Sequence, residues 1–342
     1  MSASPQAVVA MDWGGTWIRV AVVKRNGDFL WQDRVPVPDD GTQDRLLEAA
    51  GGVLRRGIEQ GSLLGLAGLG VAVAGPVDAV TGTLFDPPNL PALDGVSLKG
   101  LWEAEFGVPV WVGNDANLAA MGEFFQGAGK ETRDRRGVPP STLVYMTIST
   151  GVGGGVVERG RMLLGTNGLA AEVGHMAIDR SPEAPSCQCG SRGCLESLAS
   201  GTAIARFARE SISAGTAGSS SSLASSLVST QSGDITSEAV FQAAEKGDPL
   251  ALEIIEGVVQ SLGVGLTNVL HLYNPDLVVL GGGVSGGLDR LGLLPKIRAI
   301  MDSRAMSEKH KEFQLTISGL GDSVGIVGAA ALAWEALESP GV

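Results

Sequence analysis

Three groups of residues in this 342-residue chain have types and spacings suited to chemistry. His175, Cys187, Cys189 and Cys194 supply one imidazole and three thiols, the donor set of a closed tetrahedral zinc site, and the chain holds no other cysteine. In the run Cys187 to Cys194 (CQCGSRGC), Gly190 and Gly193 let the backbone fold tightly round an ion. The competing reading is three reduced cysteines with no ligand. An odd count gathered in one loop argues against a disulfide framework. Glu172 and Glu196 flank the loop. Carboxylates so placed accept strongly from the vicinal hydroxyls of a neutral polyol, although each alone is an ordinary surface acid.

Two glycine-rich turns form the second group. Asp12-Trp13-Gly14-Gly15-Thr16 and Thr150-Gly151-Val152-Gly153-Gly154 each offer backbone amides unobstructed by Cβ atoms, plus a hydroxyl, which is what a phosphate chain needs. Neither continues into the Gly-Lys-Ser/Thr of a P-loop or into the helix of a dinucleotide fingerprint. Taken singly, each fits an ordinary hairpin turn equally well. The pair, with Asp12 suited to a hydrated Mg²⁺, favours phosphate. A third turn, Gly281-Gly282-Gly283, follows an apolar strand at the end where α/β sheets bind ligands. Asn114-Asp115 completes the inventory, between a strand end and a helix start. A helix N-cap is the simpler local reading; a general base requires a substrate hydroxyl beside it.

Apolar runs predict strands at Ala7–Met11, Trp17–Val23, Phe29–Val37, Leu69–Ala74, Val108–Val112, Thr142–Ile148, from Val156, at Leu277–Leu280 and at Phe313–Ile317. Helical spacing covers Thr42–Gln60, Ser97–Phe106 with Ser97 as N-cap, and the segment opening at Asp115. It recurs at Leu195–Ser211, Thr236–Lys246, Pro249–Leu272, Leu288–Met301 and Val324–Leu337. Strands alternating with helices define an α/β protein. The strand–turn–strand around Asp12 recurs around Thr150, which predicts internal duplication with a cleft between the halves. Lys130–Arg136 reads as a solvated loop and Ser213–Ser232 as a flexible surface loop. His271 reads as packed and His310 as exposed.

Composition bounds the function. Lys and Arg number 25 against 37 Asp and Glu, a net charge of −12, which disfavours nucleic acid as a partner. The apolar stretch Gln60–Val77 contains five Gly and a Pro, so it does not read as a bilayer span. The start of the chain lacks a basic n-region and cleavage site, which points to the cytoplasm.

These residues resemble the ROK family (repressors, open reading frames and kinases), and among its members the glucokinases. Asp12–Arg19 is similar to the family's first phosphate loop and Thr147–Gly155 (TISTGVGGG) to its second. Gly70–Asp78 and Pro88-Asn89-Leu90-Pro91 are similar to its sugar-side segments, and Gly113–Asn117 (GNDAN) to its catalytic stretch. Glu172–Met176 and Cys187–Glu196 resemble its zinc signature, and Asn274–Ser285 its adenosine segment. The resemblance implies an actin-like, hexokinase-like fold of ribonuclease H-like duplicated domains with a structural zinc loop. It implies a small lobe of residues 1–115 plus 322–342 and a large lobe of 116–321 carrying the zinc loop and a dimer surface. It implies phosphorylation of a hexose 6-hydroxyl, glucose first, by ATP with Mg²⁺, with Asp115 as general base. Asn89, Asn114, Asp115, Glu172, His175 and Glu196 would then bind the sugar. Asp12, Gly14, Gly15, Thr16, Thr150, Gly151, Gly282 and Gly283 would bind the nucleotide and Mg²⁺, and His175 would serve both zinc and sugar. An N-acetylmannosamine or N-acetylglucosamine kinase, polyphosphate as donor, and a non-catalytic sugar sensor are the alternatives, with a homodimer or homotetramer as the assembly. Only eleven residues precede Asp12, too few for the DNA-binding module of the family's repressors.

Overall fold

The computed structural model describes residues 6–39, 41–215, 221 and 235–338. The expected Ser213–Ser232 loop lies outside the described residues except at 213–215 and 221.

The chain begins with β1 (Ala7–Trp13), β2 (Trp17–Val23) and β3 (Phe29–Pro36), an antiparallel meander. Helix α1 (Gln43–Ser62) leads to β4 (Leu66–Val73), which runs parallel to β1. Helix α2 (Leu98–Phe106), capped by the Ser97 hydroxyl accepting from the Gly100 amide, leads to β5 (Val110–Asn114), parallel to β4. The sheet order is β3-β2-β1-β4-β5. All seven residues of β1 are buried, as expected of a central strand covered on both faces.

Next come α3 (Asp115–Phe125), α4 (Ala128–Arg136), β6 (Thr142–Ile148), β7 (Val152–Glu158) and β8 (Arg161–Met162). Helices α5 (Leu195–Ala199), α6 (Gly201–Ser213), α7 (Ser237–Glu245) and α8 (Pro249–Tyr273) follow. The chain ends with β9 (Leu277–Gly281), α9 (Gly282–Arg290), α10 (Leu294–Arg304), β10 (Gln314–Ile317) and α11 (Val324–Glu338). The second sheet has the order β10-β9-β6-β7-β8. Read from β8, it repeats the order of the first sheet, so the recurrence of the hairpin loops in the sequence reflects a duplicated topology.

The chain packs as two compact units, Met1–Leu143 with Gly155–Ala171 and Gly319–Val342, and Val144–Gly154 with Glu172–Ser318. Helices α3 and α4 belong to the first unit because α3 packs along α11, which also covers β1 and β4. That contact is made by small residues. A Cβ on Gly328 would lie 1.9 Å from the Leu118 carbonyl oxygen, and one on Gly122 would lie 2.9 Å from that of Val324.

Four local expectations are corrected. Lys130–Arg136 lies in helix α4, stabilised by a Lys130–Asp134 pair one turn apart (2.9 Å) and by Arg133, Arg135 and Arg136 at the negative end of the helix. Gly137, in the left-handed region at φ 77°, ends it. Leu195–Ser211 is two helices, broken at Ser200, whose hydroxyl caps the second at Ala203. Leu288–Met301 is also divided, between α9 and α10, and α9 begins within the glycine run at Gly282. His271 is exposed at the end of α8, where Nε2 accepts from the Met306 amide, and His310 is partly buried.

Among the described residues one helix, α8, is long and apolar enough to cross a membrane. Most of it is buried against α5, α6, α7 and α10.

Two glycine substitutions test this packing. Gly328→Val should destabilise the protein by roughly 1–3 kcal/mol or more through overpacking. Gly52→Ala in α1, where a Cβ meets nothing within 4 Å, should stabilise it by up to about 1 kcal/mol. Thermal melts of both variants check the contrast.

Candidate active site

Asp12 is the penultimate residue of β1 and lies opposite Arg19 of β2. Arg19 Nη1 donates to Asp12 Oδ2 at 3.2 Å. Asp12 is 9% exposed, and the start of α11 closes over it; a Cβ on Gly325 would lie 2.6 Å from Oδ1. Burial raises the Asp12 carboxyl above its ordinary value; Arg19 opposes this and Asp322 adds to it. The turn beyond is closed by the Gly14 amide donating to the Trp17 carbonyl at 3.1 Å, with Gly15 and Thr16 exposed at its tip.

Asn114 ends β5, and Asp115 opens α3. Asn114 is the N-cap: its Oδ1 accepts from the Ala116 and Asn117 amides at 3.0 and 3.3 Å. Asp115 Oδ1 accepts from the Ala116 amide at 2.8 Å, and the side chain is half-buried. Asn114 Nδ2 donates to the Gly75 carbonyl at 3.0 Å, tying the helix start to the segment after β4. Gly75 in turn lies against Pro87, where a Cβ would come within 2.7 Å of the proline ring. Asn89 is exposed in the turn that follows, closed by the Leu90 amide on the Pro87 carbonyl. Gly155 of β7 admits the first turn of α3, since a Cβ there would lie 2.7 Å from the Ala116 carbonyl.

In the second unit the glycine-rich run divides in two. Ser149–Gly151 forms the turn, closed by the Ser149 amide on the Gly151 carbonyl at 2.9 Å, while Gly153 and Gly154 lie inside β7. The turn is pinned to the start of α6, where the Gly201 amide donates to the Ser149 carbonyl (2.7 Å) and the Thr202 hydroxyl to the Thr150 carbonyl (2.8 Å). Gly282 opens α9 at φ 86°, and a Cβ there would strike the Ile148 carbonyl at 2.3 Å. The start of α9 therefore lies beside the end of β6, with Gly283 exposed. Unpaired amides at such a helix start favour an anionic group.

Glu196, in the first turn of α5, bridges this turn and the cysteine loop. Its Oε2 accepts from the Val152 amide at 3.0 Å, and the Cys187 thiol approaches Oε1 at 3.5 Å. Glu172 is exposed beside His175. Burial around its carboxyl raises its pKa, with His175 opposing and Glu196 contributing.

The donor atoms of His175, Cys187, Cys189 and Cys194 all lie within 4.8 Å of one another. Cys187 Sγ is 3.7 Å from His175 Nδ1, and Cys189 Sγ is 3.8 Å from Cys194 Sγ. Thiolates in a tetrahedral zinc site, with Zn–S bonds of about 2.3 Å, sit about 3.8 Å apart, so the donor set fits that geometry. Burial pushes the Cys187 thiol up to about 12 and raises Cys194, while the Ser191 amide holds Cys189 down. A bound cation would favour the thiolate form of all three.

The expected residues thus fall into two sets. Asp12, Gly14, Gly15, Thr16, Asn89, Asn114 and Asp115 belong to the first unit. Thr150, Gly151, Glu172, His175, the three cysteines, Glu196, Gly282 and Gly283 belong to the second. Sequence reasoning missed Arg19, Gly325 and Thr202 as supports. Arg19 was accessible from hairpin register, since a turn after Trp13 sets it opposite Asp12.

Fold and site together define a duplicated α/β protein with paired glycine turns and a cysteine-rich loop. Its sequence matches the profile of the ROK family over residues 8–336, and the chain belongs to that family. It is 34% identical to a glucokinase of Halalkalibacterium halodurans, over 94% of this chain and 92% of the relative. It is 28% identical to a putative xylose repressor of a Caldicellulosiruptor species, over 95% of this chain and 77% of that protein. Its fold is similar to the crystal structure of a ROK family glucokinase from Streptomyces griseus in complex with glucose and AMPPNP. That likeness has a TM-score of 0.76 at 30% identity and covers 96% of this chain and 99% of the other.

The buried Asp12 carboxylate makes a prediction. Because its folded-state pKa is raised, protonation favours the folded state, and burial of the ionised form costs stability above that pKa. Asp12→Asn should therefore raise Tm at neutral pH. The gain should fade on acidification through the folded pKa and vanish below about pH 4, where the unfolded carboxyl is also protonated. Paired melts across pH check this.

Proposed function

We propose that this chain is an ATP-dependent hexose kinase that transfers the γ-phosphoryl group to the 6-hydroxyl of a sugar, with glucose as the first choice and Asp115 as general base. The observation that supports the base assignment is the position of Asp115 at the junction of β5 and α3, half-buried, with Oδ1 accepting from the Ala116 amide while Asn114 caps the helix. The kinship with glucokinases, together with two glycine-containing turns whose tips at Gly15–Thr16 and Thr150 are exposed, supports the substrate pair.

In this reading Asp115 takes the proton of the 6-hydroxyl as its oxygen attacks the γ-phosphorus. The new O–P bond forms, the bond to the β–γ bridging oxygen breaks, and ADP leaves with that electron pair. Phosphoryl transfer depends chiefly on positioning and charge neutralisation. Mg²⁺ bound with ATP would supply neutralisation of charge on the phosphates. Asp12 is the acid assigned to it, and the turns at Gly14–Thr16 and Thr150–Gly151 and the α9 start at Gly282–Gly283 receive the nucleotide. Asn89, Asn114, Glu172, His175 and Glu196 are assigned to the sugar hydroxyls. His175, through Nδ1, and the three thiolates would hold zinc, which would fix the loop and leave His175 Nε2 for a hydroxyl. A cytoplasmic homodimer or homotetramer goes with this reading.

Kinship with a repressor keeps a second reading in view, a sugar sensor without turnover. A coupled assay of ATP and polyphosphate against glucose, mannose, N-acetylmannosamine and N-acetylglucosamine separates the readings. Glucose with ATP should turn over fastest, and no turnover of any sugar would select the sensor. Asp115→Ala should lower kcat by roughly 10²–10⁴-fold while retaining sugar binding by calorimetry. Metal analysis should find about one zinc per chain. Fully active metal-free protein would remove zinc from the account.

A further inference from the structure

None of the residues assigned to the reaction lines a cavity of about 580 Å³ in the first unit. Its walls are the β2–β3 hairpin, the end of α3, helix α4 and one face of α11 from Val327 to Glu338. A volume of this size is typical of small-molecule sites, which occupy roughly 300–1,000 Å³. The walls carry four basic side chains, Lys24, Arg25, Lys130 and Arg133, against two acids, Glu335 and Glu338. That balance opposes the net charge of −12 of the whole chain.

Each acid faces a cation, Glu338 one of the wall's own. Glu338 pairs with Arg25, and Glu335, whose pKa burial raises, faces Arg161. Lys130 and Arg133 share one acid, Asp134, at 2.9 and 3.7 Å. The apolar part of the wall is Val23, Phe125, Val327 and the Trp334 indole, with the Arg25 guanidinium 6.0 Å from the indole ring. The mouth is braced, because Gln126 Nε2 donates to the Arg25 carbonyl at 3.2 Å and joins the hairpin to the end of α3.

We propose that this cavity binds a mid-sized organic anion: an aromatic or otherwise flat apolar body bearing a carboxylate, sulfonate or phosphate. The basic rim recognises the charge, and Trp334 with Phe125 receives the body. The occupant presses on α3 and α11, the two helices whose opposite ends carry Asp115 and the cover of Asp12. This inference is independent of the proposed kinase reaction.

Fluorescence titration of the full chain with 1-anilinonaphthalene-8-sulfonate tests it, with the uncharged N-phenyl-1-naphthylamine as control. The sulfonate should bind at one site per chain and about tenfold or more tighter than the neutral dye. The double variant Lys130→Glu, Arg133→Glu should weaken the sulfonate by a similar factor. Ala331→Trp, which fills the cavity from α11, should abolish binding, with thermal melts confirming that both variants fold. Equal affinity for the two dyes, or undiminished sulfonate binding by folded Ala331→Trp, overturns the proposal. A crystal soaked with the sulfonate gives an independent readout: density against Trp334 supports the site, and density only elsewhere contradicts it.

Discussion

Two helix backbones in direct contact organise the first unit. Where α11 crosses α3, Gly328 lies against the Leu118 carbonyl and Gly122 against that of Val324, approaches that no larger residue permits. Each interior helix glycine costs up to about 1 kcal/mol in propensity, and the close packing it allows offsets that cost. The contact brings the last helix of the chain back to the first sheet. It also fixes two acids at once, because Gly325 covers Asp12 while α3 begins at Asp115. Asp12 is 9% exposed beside one arginine; burial raises its pKa and Arg19 opposes the rise.

The second unit achieves the same end with turns. Ser149–Gly151 is anchored by hydrogen bonds from Gly201 and Thr202, Gly282 fits only because it lacks a Cβ, and Glu196 bonds the Val152 amide beside the Cys187 thiol. Backbone so held is fixed in one geometry. The cysteine loop and the glycine turn therefore share one carboxylate, that of Glu196.

Much of the fold was legible because burial on both faces writes strands as continuous apolar runs; AVVAM and LVVL name β1 and β9 directly. The duplication was legible for the same reason, since both hairpins reuse one pattern. What failed turned on glycine and charge. The run Gly151–Gly155 mixes a turn with a strand whose glycines include the one admitting α3, and composition does not separate the two roles. Lys130–Arg136 forms a helix through an i,i+4 pair and a favourable end charge, signals that a charge run conceals. The packing of α11 over α3 is a long-range contact with no local signature. In the site, the cysteine cluster was readable from residue counts alone. The tie from Asn114 through Gly75 to the turn of Asn89 was not, because it joins residues far apart in the chain.

A crystal structure with glucose and a non-hydrolysable ATP analogue tests the role of the Asp115 carboxylate most directly. An Asp115 oxygen should lie within about 2.6–3.2 Å of the sugar's 6-oxygen, directly or through one water, on the side away from the γ-phosphate. A complex in which that carboxylate contacts no sugar oxygen, while both ligands are fully bound, would contradict the account.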